Sequence, residues 1–227
     1  MASRPTALVT GASRGIGAAV ARSLSETHDI LLGGRDEQLL AALAEELPGA
    51  RPWRVDVTDD AAVAAAAAEV SSLDVLVHSA GVIELGQVDE LSADAWRRTF
   101  EANVVAVAEL TRHLLPALRS TKGRVVLLNS GSGLSARPNW GAYAASKFAL
   151  RAYADALRAE EATNGIRVTS VFPGRTATDM QREVRSWEGG EFEPERYMRP
   201  ETVAESVVSA VRSADDGHLT DIVLRPK

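Results

Sequence analysis

The sequence predicts a three-layer α/β fold in which helices cover both faces of one doubly wound parallel sheet of about seven strands. Two observations lead to this prediction. Short, nearly continuous runs of Val, Leu and Ile, such as Leu73–His78, are typical of strands that are buried on both faces. These runs alternate with longer segments of helical periodicity, which favours right-handed crossovers between parallel strands. The length of 227 residues fits one such domain, spanning residues 1–227.

The predicted elements follow one another along the chain with short connections. Strands are predicted at Thr6–Thr10, Ile30–Gly33, Arg51–Val57, Leu73–His78, Arg124–Asn129, Ile166–Phe172 and Asp221–Leu224. Helices are predicted at Gly15–Glu26, Glu37–Leu47, Asp60–Val70, Ala93–Leu118 (where a break is left open), Ala142–Thr163 and Glu201–Ser213. The irregular stretch Gln181–Pro200 is predicted to be a substrate loop, at about residues 180–200, because long irregular segments in compact domains are often lids or binding loops.

The composition excludes several classes of function. The chain has no cysteine, which excludes thiol catalysis, disulfides and thiolate metal sites, and we predict no metal site. Its formal net charge of −6 helps solubility and argues against general nucleic-acid binding. The sequence contains no apolar run of membrane-spanning length and lacks the features of a signal peptide. We therefore expect a cytoplasmic protein without nucleic-acid or membrane partners.

The first predicted strand leads directly into a glycine-rich turn and then a helix. The turn reads Thr10-Gly11-Ala12-Ser13-Arg14-Gly15-Ile16-Gly17. Glycines permit a tight turn and let backbone N–H groups approach a phosphate, and the helix N-terminus adds the positive end of its dipole. The spacing differs from G-x-G-x-x-G, but the strand–turn–helix context is that of a dinucleotide-binding Rossmann fold. Taken alone, the turn is equally well explained as a structural connection that requires glycine.

The end of the second predicted strand bears on which nucleotide would bind. Folds that prefer NAD carry an acidic residue there, which binds the ribose 2′-OH. Gly34 stands in its place and Arg35 follows, so Arg35, helped by Arg14, is a candidate for binding the 2′-phosphate of NADP(H). Two alternatives stay open: both arginines are solvated surface residues, or Asp36 binds ribose in an NAD enzyme rather than capping the next helix. We favour NADP(H).

Three polar residues form a candidate catalytic group. Tyr143 and Lys147 lie four residues apart on a predicted helix, so their side chains share one face. A free tyrosine has a pKa near ~10, and we expect the Lys147 ammonium and the positive charge of oxidised nicotinamide to lower it. Tyr143 could then exchange a proton with a substrate oxygen while a hydride moves. Ser130, at the end of an apolar strand, could hydrogen-bond to the same oxygen. Each residue alone also fits an ordinary surface or loop position.

The sequence closely resembles the short-chain dehydrogenase/reductase family, in its compact single-domain branch. The motifs that carry the resemblance occur in the family's order along almost the whole chain: Thr10-Gly11 to Gly17, Ser79-Ala80-Gly81, Asn103, Ser130 with Tyr143-x-x-x-Lys147, and Pro173-Gly174. Each motif is weak alone, whereas the ordered set is specific. The resemblance implies an oxidoreductase that transfers a hydride between NADP(H) and a carbonyl or secondary alcohol.

The resemblance also implies a catalytic tetrad. Tyr143 would be the acid/base, Ser130 would position and polarise the substrate oxygen, and Lys147 would bind the nicotinamide ribose and lower the pKa of Tyr143. Asn103 would hold a water that extends the proton relay. His78 departs from the family's Asn-Asn-Ala-Gly segment, which puts the role of the missing Asn side chains in doubt, and we interpret His78 as structural.

The nucleotide-binding residues carry over in the same way. Asp56-Val57 resembles the pair that touches adenine, and Pro173-Gly174 with Thr178 resembles the segment that binds the nicotinamide carboxamide. Arg175 stands where many relatives have an apolar residue, and it either lines the pocket entrance or pairs with a nearby acid. The full set of expected cofactor-binding residues is Gly11, Ser13, Arg14, Gly15, Ile16, Gly17, Arg35, Asp56, Val57, Ala80, Gly81, Asn103, Tyr143, Lys147, Pro173, Gly174, Thr176 and Thr178.

By the same analogy, the substrate pocket is expected around the catalytic group. Its candidate lining residues are Ser132, Leu134, Trp140, Met180 and Trp187. Trp140 either covers an apolar or aromatic substrate or simply packs its loop. Two long helices, Glu101–Leu118 and Ala142–Thr163, resemble the family's dimer-forming pair, so a homodimer or homotetramer is expected. The main alternative function is a catalytically silent nucleotide-binding regulator, which would predict a broken tetrad; a sugar-nucleotide epimerase or dehydratase would predict a longer C-terminal domain.

Overall fold

The chain is described by a computed structural model, which covers residues 4–214 and 216–227. Its centre is one sheet of seven parallel strands in the order β3-β2-β1-β4-β5-β6-β7. The strands are β1 (Thr6–Thr10), β2 (Asp29–Gly34), β3 (Ala50–Arg54), β4 (Val75–His78), β5 (Arg124–Leu128), β6 (Arg167–Pro173) and β7 (Asp221–Leu224). The predicted doubly wound parallel sheet is confirmed.

Eight α-helices flank this sheet within the described residues. They are α1 (Gly15–Ser25), α2 (Glu37–Glu46), α3 (Asp60–Ala68), α4 (Ala93–Phe100), α5 (Ala106–Thr121), α6 (Gly141–Glu161), α7 (Asp179–Trp187) and α8 (Pro200–Val211). Alternate residues of each strand enter different cores: Val9 packs in the core with α1, α2 and α8, whereas Leu8 packs in the core with α3, α5 and α6. This two-residue periodicity explains why the buried strands are apolar on both faces.

The direction of winding reverses between β1 and β4, because the chain runs from β1 outward to β3 and then returns to the other side of β1. Thr10 joins the two strand ends: its hydroxyl accepts hydrogen bonds from the backbone N–H groups of Ser79 and Ala80, both at 3.1 Å. Ligands of open α/β sheets bind at the carboxyl ends of the strands near such a reversal. The fold therefore directs attention to this edge.

The predicted irregular loop Gln181–Pro200 is wrong in its first part, where the chain forms α7. The helix begins because the Thr178 hydroxyl caps it, accepting from the Gln181 N–H at 3.3 Å. Buried Gln181 and Val184 then give the helix a narrow inward face. The remainder of the loop is irregular apart from a 3-10 turn at Pro194–Arg196. The helix was not predicted because charged residues dominate this segment. Its one strong signal in the sequence was the capping residue, Thr178.

The predicted helix Ala93–Leu118 does contain the break that was left open. A π-helical turn at Glu101–Val105 separates α4 from α5, which continues to Thr121. The third strand also ends earlier than predicted, at Arg54, so Asp56 and Val57 lie beyond the sheet. There the Asp56 carboxylate accepts from the Thr58 N–H at 3.0 Å and hydroxyl at 2.7 Å, a side-chain turn that competes with strand pairing.

Candidate active site

Three parts of the fold bring the four residues of the predicted tetrad together at the carboxyl edge of the sheet. Ser130 follows β5, Tyr143 and Lys147 occupy the first turns of α6, and Asn103 lies in the π-helical turn before α5. The Ser130 side chain lies close enough to the Tyr143 phenol to lower its pKa by hydrogen bonding. The Lys147 Nζ lies 5.8 Å from the centre of the Tyr143 ring. Residues that are separated by up to forty-four positions in the sequence therefore form one buried group.

Asn103 is held rigidly by the π-helical turn. Its Oδ1 accepts from the Val82 N–H at 2.9 Å, and its Nδ2 donates to the Val82 carbonyl at 2.9 Å and to the Ser146 hydroxyl at 3.0 Å. Such single π turns inside helices are frequent at functional sites, because they re-aim a side chain and free backbone carbonyls. These hydrogen bonds fix Asn103 beside α6, where its side chain contacts Ser146, the residue before Lys147.

Burial raises the pKa of the Tyr143 phenol, and the hydrogen bond from Ser130 opposes that shift. We predicted that Lys147 and a bound nicotinamide lower the pKa of Tyr143. In the protein without a nucleotide, the pKa of Tyr143 is raised, and Lys147 does not lower it. Lys147 is itself buried, which lowers the pKa of its amine from 10.5 to about 8, and its Nζ donates to the Leu128 carbonyl at 2.9 Å. Burial dominates at both residues, since each loses the water that would stabilise its charged form.

The glycine turn between β1 and α1 fits a phosphate-binding role. Gly11 and Gly15 both have positive φ, at 65° and 57°, which explains why glycine is needed at these two positions. The α1 helix begins at Gly15 without a side-chain cap and without an acidic residue in its first turn. Its leading N–H groups are therefore left for another acceptor, and an anion at this end would be favoured by the helix dipole.

Close packing at two glycines places the predicted nucleotide-binding segments next to one another and next to the tetrad. A Cβ on Gly81 would lie 3.0 Å from Asn103 Oδ1 and 3.9 Å from Lys147 Nζ, so this segment borders the catalytic group. A Cβ on Gly15 would lie 3.3 Å from the Thr178 side chain, which places the phosphate turn against the start of α7. The predicted segments thus follow one another along the carboxyl edge of the sheet.

Some predicted cofactor residues have side chains that are engaged elsewhere. Ile16 and Val57 are partly buried, and each packs against one of the two cores. The Thr176 hydroxyl donates to the Gly174 carbonyl at 3.1 Å, and the Thr178 hydroxyl caps α7. Gly174 itself donates its N–H to the Leu224 carbonyl at 2.9 Å.

The two arginines proposed for the 2′-phosphate lie on the surface in ion pairs. Arg35 lies 3.5 Å from Asp56, and Arg14 lies 3.8 Å from Asp179. Asp36 caps α2, accepting from the Leu39 N–H at 3.1 Å, which favours the capping interpretation over ribose binding. Arg35 and Asp56, two of the predicted nucleotide contacts, are thus neighbours at the far end of the edge.

One aromatic ring, that of Trp140, packs against the catalytic tyrosine candidate. Trp140 meets the Tyr143 ring edge-on, with centroids 5.9 Å apart and planes at 66°. The loop before Trp140 is fixed by Asn139, whose φ is 68° and whose carbonyl accepts from the Gly86 N–H at 2.9 Å. Trp187, by contrast, is half exposed at the end of α7. Ser132, Leu134 and Met180 are partly buried.

Two residues whose roles the sequence left open are structural in their contacts. Arg175 pairs with Glu188, which also accepts from Arg185 at 2.7 Å, so this cluster fastens the end of α7 to the segment after β6. His78 is fully buried, its pKa is lowered by burial to about 3, and it contacts the Thr111 hydroxyl at 2.9 Å. His78 is therefore neutral near pH 7, as a structural residue would be.

Sequence reasoning passed over Asn129, which stands between the β5 strand and Ser130. Its buried side chain accepts from the Ser130 N–H at 2.9 Å and donates to the Lys147 carbonyl at 3.1 Å. The only signal was a polar residue at the end of an apolar run. Among the residues the structure describes, no cluster of metal-ligating side chains occurs, and no helix is both long and apolar enough to cross a bilayer.

Comparison with known proteins gives a consistent picture. A family model described as short chain dehydrogenase matches residues 5–189. The chain is 36% identical to glycine betaine reductase ATRR of Emericella nidulans, over 97% of this chain but 18% of that relative. It is 35% identical to cis-4-hydroxycyclohexanecarboxylate dehydrogenase of Sinomonas cyclohexanicum, over 93% of this chain and 95% of that one. A crystal structure of an actinorhodin polyketide ketoreductase variant with NADPH aligns at a TM-score of 0.90, with 30% identity over 98% of this chain and 97% of that chain.

Proposed function

The chain belongs to the short-chain dehydrogenase family, and from that premise we propose that it is an NADP(H)-dependent enzyme that interconverts a carbonyl and a secondary alcohol. The observation that carries the proposal is the Ser130 hydroxyl beside the buried Tyr143 phenol, with Lys147 one helical turn further along α6. A hydroxyl pair beside a buried amine, at the ligand-binding edge of the sheet, suits proton exchange with a substrate oxygen.

In the direction of reduction, the bound nicotinamide would supply the hydride that adds to the carbonyl carbon. The Tyr143 phenol would donate its proton to the carbonyl oxygen, so that the alcohol forms with one hydride and one proton. Ser130 would hold that oxygen and stabilise the negative charge that develops on it. The raised pKa of Tyr143 keeps the phenol protonated and ready to donate. In oxidation the same phenol, as phenolate, would accept the proton.

Lys147 and Asn103 would support this transfer of a proton by Tyr143. The Lys147 amine, with its pKa near 8, could bind the nicotinamide ribose and exchange protons near neutral pH. Asn103 has both amide atoms bonded within the protein, so its part in a proton relay would run through a water held at the neighbouring backbone. Both roles are proposals that the arrangement supports.

The glycine turn, the segment at Ala80-Gly81 and the segment from Pro173 to Thr178 would hold the nucleotide. The uncapped start of α1 offers N–H groups to the pyrophosphate. Arg35 and Arg14 would bind the 2′-phosphate, and the NADPH of the ketoreductase neighbour agrees with that preference. Binding would require the guanidinium of Arg35 to share its charge between Asp56 and the phosphate, because the two side chains already pair.

We propose that a substrate with an apolar ring or chain binds beside Tyr143. Trp140 would cover it, with Ser132, Leu134, Met180 and Trp187 as further candidates, and α7 would close over the bound substrate. The cis-4-hydroxycyclohexanecarboxylate relative is consistent with a cyclic secondary alcohol. We further propose a cytoplasmic homodimer or homotetramer, since α6 and the turn before α5 expose Phe148 at 43% and Val105 at 41%.

A nucleotide titration followed by turnover tests the proposal. NADPH and NADH are added separately to the purified protein and nicotinamide fluorescence is followed, and then NADPH oxidation is measured with a panel of cyclic and linear ketones. We expect tight NADPH binding, weaker NADH binding and turnover of at least one ketone. Preference for NADH would overturn the cofactor assignment. Tight NADPH binding with no turnover of any ketone would favour the nucleotide-binding regulator.

A further inference from the structure

The amide of Asn129 bridges the two chain segments that carry the catalytic residues. On one side its Oδ1 accepts from the N–H of Ser130 at 2.9 Å, and on the other its Nδ2 donates to the carbonyl of Lys147 at 3.1 Å. The Asn129 backbone N–H is anchored in turn to the Val171 carbonyl of β6 at 2.8 Å. One residue therefore connects β6, through its backbone, with the loop after β5 and the α6 helix, through its side chain.

The orientation of this amide is fixed by its partners. A backbone N–H must face the carbonyl oxygen of the amide and a backbone carbonyl must face its NH₂ group, so a flipped side chain would lose both hydrogen bonds. Gly133 closes the space around it, because a Cβ there would lie 2.4 Å from Asn129 Oδ1 and 2.9 Å from the Lys147 carbonyl. Asn129 is 4% exposed, so water cannot readily replace either bond.

This bridge bears directly on the reacting groups. Ser130 hydrogen-bonds to Tyr143, and its Oγ also accepts from the Ser132 N–H at 3.1 Å, so its hydroxyl position depends on where the loop is held. Tyr143 lies one turn before Lys147 on the same helix. The separation of the two hydroxyls therefore depends on how the Ser130 loop is fastened to α6 at Lys147. Asn129 makes one such connection, and the hydrogen bond from the Lys147 Nζ to the Leu128 carbonyl makes another.

We propose that Asn129 is a positioning residue that sets the separation of the Ser130 and Tyr143 hydroxyls by fastening the Ser130 loop to the α6 backbone. The inference rests on the proposed function, because it assigns Asn129 a part in that reaction. Asn129 does not touch the reacting atoms, and it acts through Ser130. Small displacements of oriented groups are costly in catalysis, which is why such a residue would affect turnover.

The test compares Asn129→Leu, Asn129→Ala and Ser130→Ala with the double variants. The leucine keeps the volume and removes both hydrogen bonds, and the alanine is the smaller change if the leucine variant does not fold. We expect kcat for ketone reduction to fall roughly 10- to 100-fold while the Kd for NADPH is unchanged. In the Ser130→Ala background the same substitutions should have little further effect, because Asn129 acts through Ser130.

A pH titration of the Tyr143 phenol distinguishes a positioning role of Asn129 from general destabilisation of the protein. This titration does not require substrate turnover. The Ser130 hydrogen bond lowers the pKa of Tyr143, so loosening it should raise that pKa. Phenolate absorbance, taken as the difference from the matching Tyr143→Phe protein, should therefore titrate at higher pH in the Asn129 variants, and the alkaline limb of ketone reduction should move the same way. Asn164→Leu, which removes an amide beyond the far end of α6, is the matched control and should leave both unchanged.

The outcomes are distinct. An unchanged phenol titration in a folded Asn129 variant, with losses in kcat that add to those of Ser130→Ala, would overturn the positioning role and leave Asn129 as a stabilising residue only. If the parent protein turned over no ketone, the proposed function would fail. The phenol titration would still decide whether Asn129 sets the Ser130–Tyr143 hydrogen bond.

Discussion

The proposed catalytic group and the proposed 2′-phosphate end lie on the same edge of the sheet but are built differently. Tyr143 is 7% exposed and Lys147 is 5% exposed, and their neighbours are held by hydrogen bonds to backbone groups. The Arg35 side chain is 76% exposed and its partner is a single surface carboxylate 3.5 Å away. The proposed catalytic group is held in place by packing, whereas the Arg35 end of the edge depends on exposed charged side chains.

This contrast separates chemistry from cofactor choice. Buried hydrogen-bonded groups cannot be moved without cost, since an unpaired polar group in the interior loses its water. Exposed ion pairs contribute little to stability and exchange partners readily. We therefore expect substitutions in the catalytic group to change turnover or stability strongly, and substitutions at the 2′-phosphate end to change nucleotide preference alone.

The largest effect should come from Tyr143→Phe. The substitution removes the proton donor and keeps the ring, so kcat should fall by about 10²- to 10⁴-fold while NADPH still binds. The measurement is steady-state turnover together with nicotinamide fluorescence. Tyr153→Phe, on the same helix ten residues later, is the control and should keep its activity. Equal activity of the parent and Tyr143→Phe proteins at every pH would exclude Tyr143 as the acid/base.

Arg35→Ala tests the exposed end of the comparison. Loss of charge-assisted hydrogen bonds to the 2′-phosphate should weaken NADPH binding by roughly 10- to 100-fold and leave NADH binding almost unchanged. Both Kd values follow from fluorescence titrations. Arg22→Ala removes another exposed arginine, paired with Glu46 at 2.9 Å in the last turn of α1, and should change neither. If the two nucleotides weakened equally, Arg35 would not be reading the 2′-phosphate.

The smallest expected effect is on the free energy of unfolding, and it tests whether burial of the Lys147 charge destabilises the folded protein. The pKa of Lys147 is lowered from 10.5 to about 8, so below pH 8 the folded protein carries a buried charge at a cost that the unfolded chain does not have. That cost disappears as pH rises through 8 toward 10.5, because the folded amine loses its proton first. The shift corresponds to a cost of about 3 kcal/mol. Because Lys147→Met also removes the hydrogen bond to the Leu128 carbonyl, which contributes about 1 kcal/mol, it should raise the free energy of unfolding by about 2 kcal/mol at neutral pH.

Urea denaturation measures this difference near neutral pH and again in the alkaline range. The advantage of Lys147→Met should shrink as the pH rises above the pKa of the parent amine. Lys122→Met, at an exposed position after α5, is the control and should show no such pH dependence. A Lys147→Met protein that is less stable than the parent at neutral pH would mean that the hydrogen bond to the Leu128 carbonyl outweighs the burial of the charge.

Much of the fold could be predicted because its signals are local. The bounds of β1 and β7 were predicted without error, since each contains a short apolar run bounded by polar residues. The start of α7 was missed because charged residues dominate it and only Thr178 signals its cap. The break between α4 and α5 could be suspected but not placed, because a π turn depends on what packs around it.

The sequence by itself determined the glycine turn, the alternation of strands and helices along the chain, and the tyrosine and lysine on one helix face, because each follows from backbone sterics and periodicity. Tertiary structure alone decided the direction of the Tyr143 pKa shift, the pairing of Arg35 with Asp56 and the bridge made by Asn129. Burial and contact between distant residues produce these features. Neither property can be read from the identity of neighbouring residues, because both arise only when separate elements pack together.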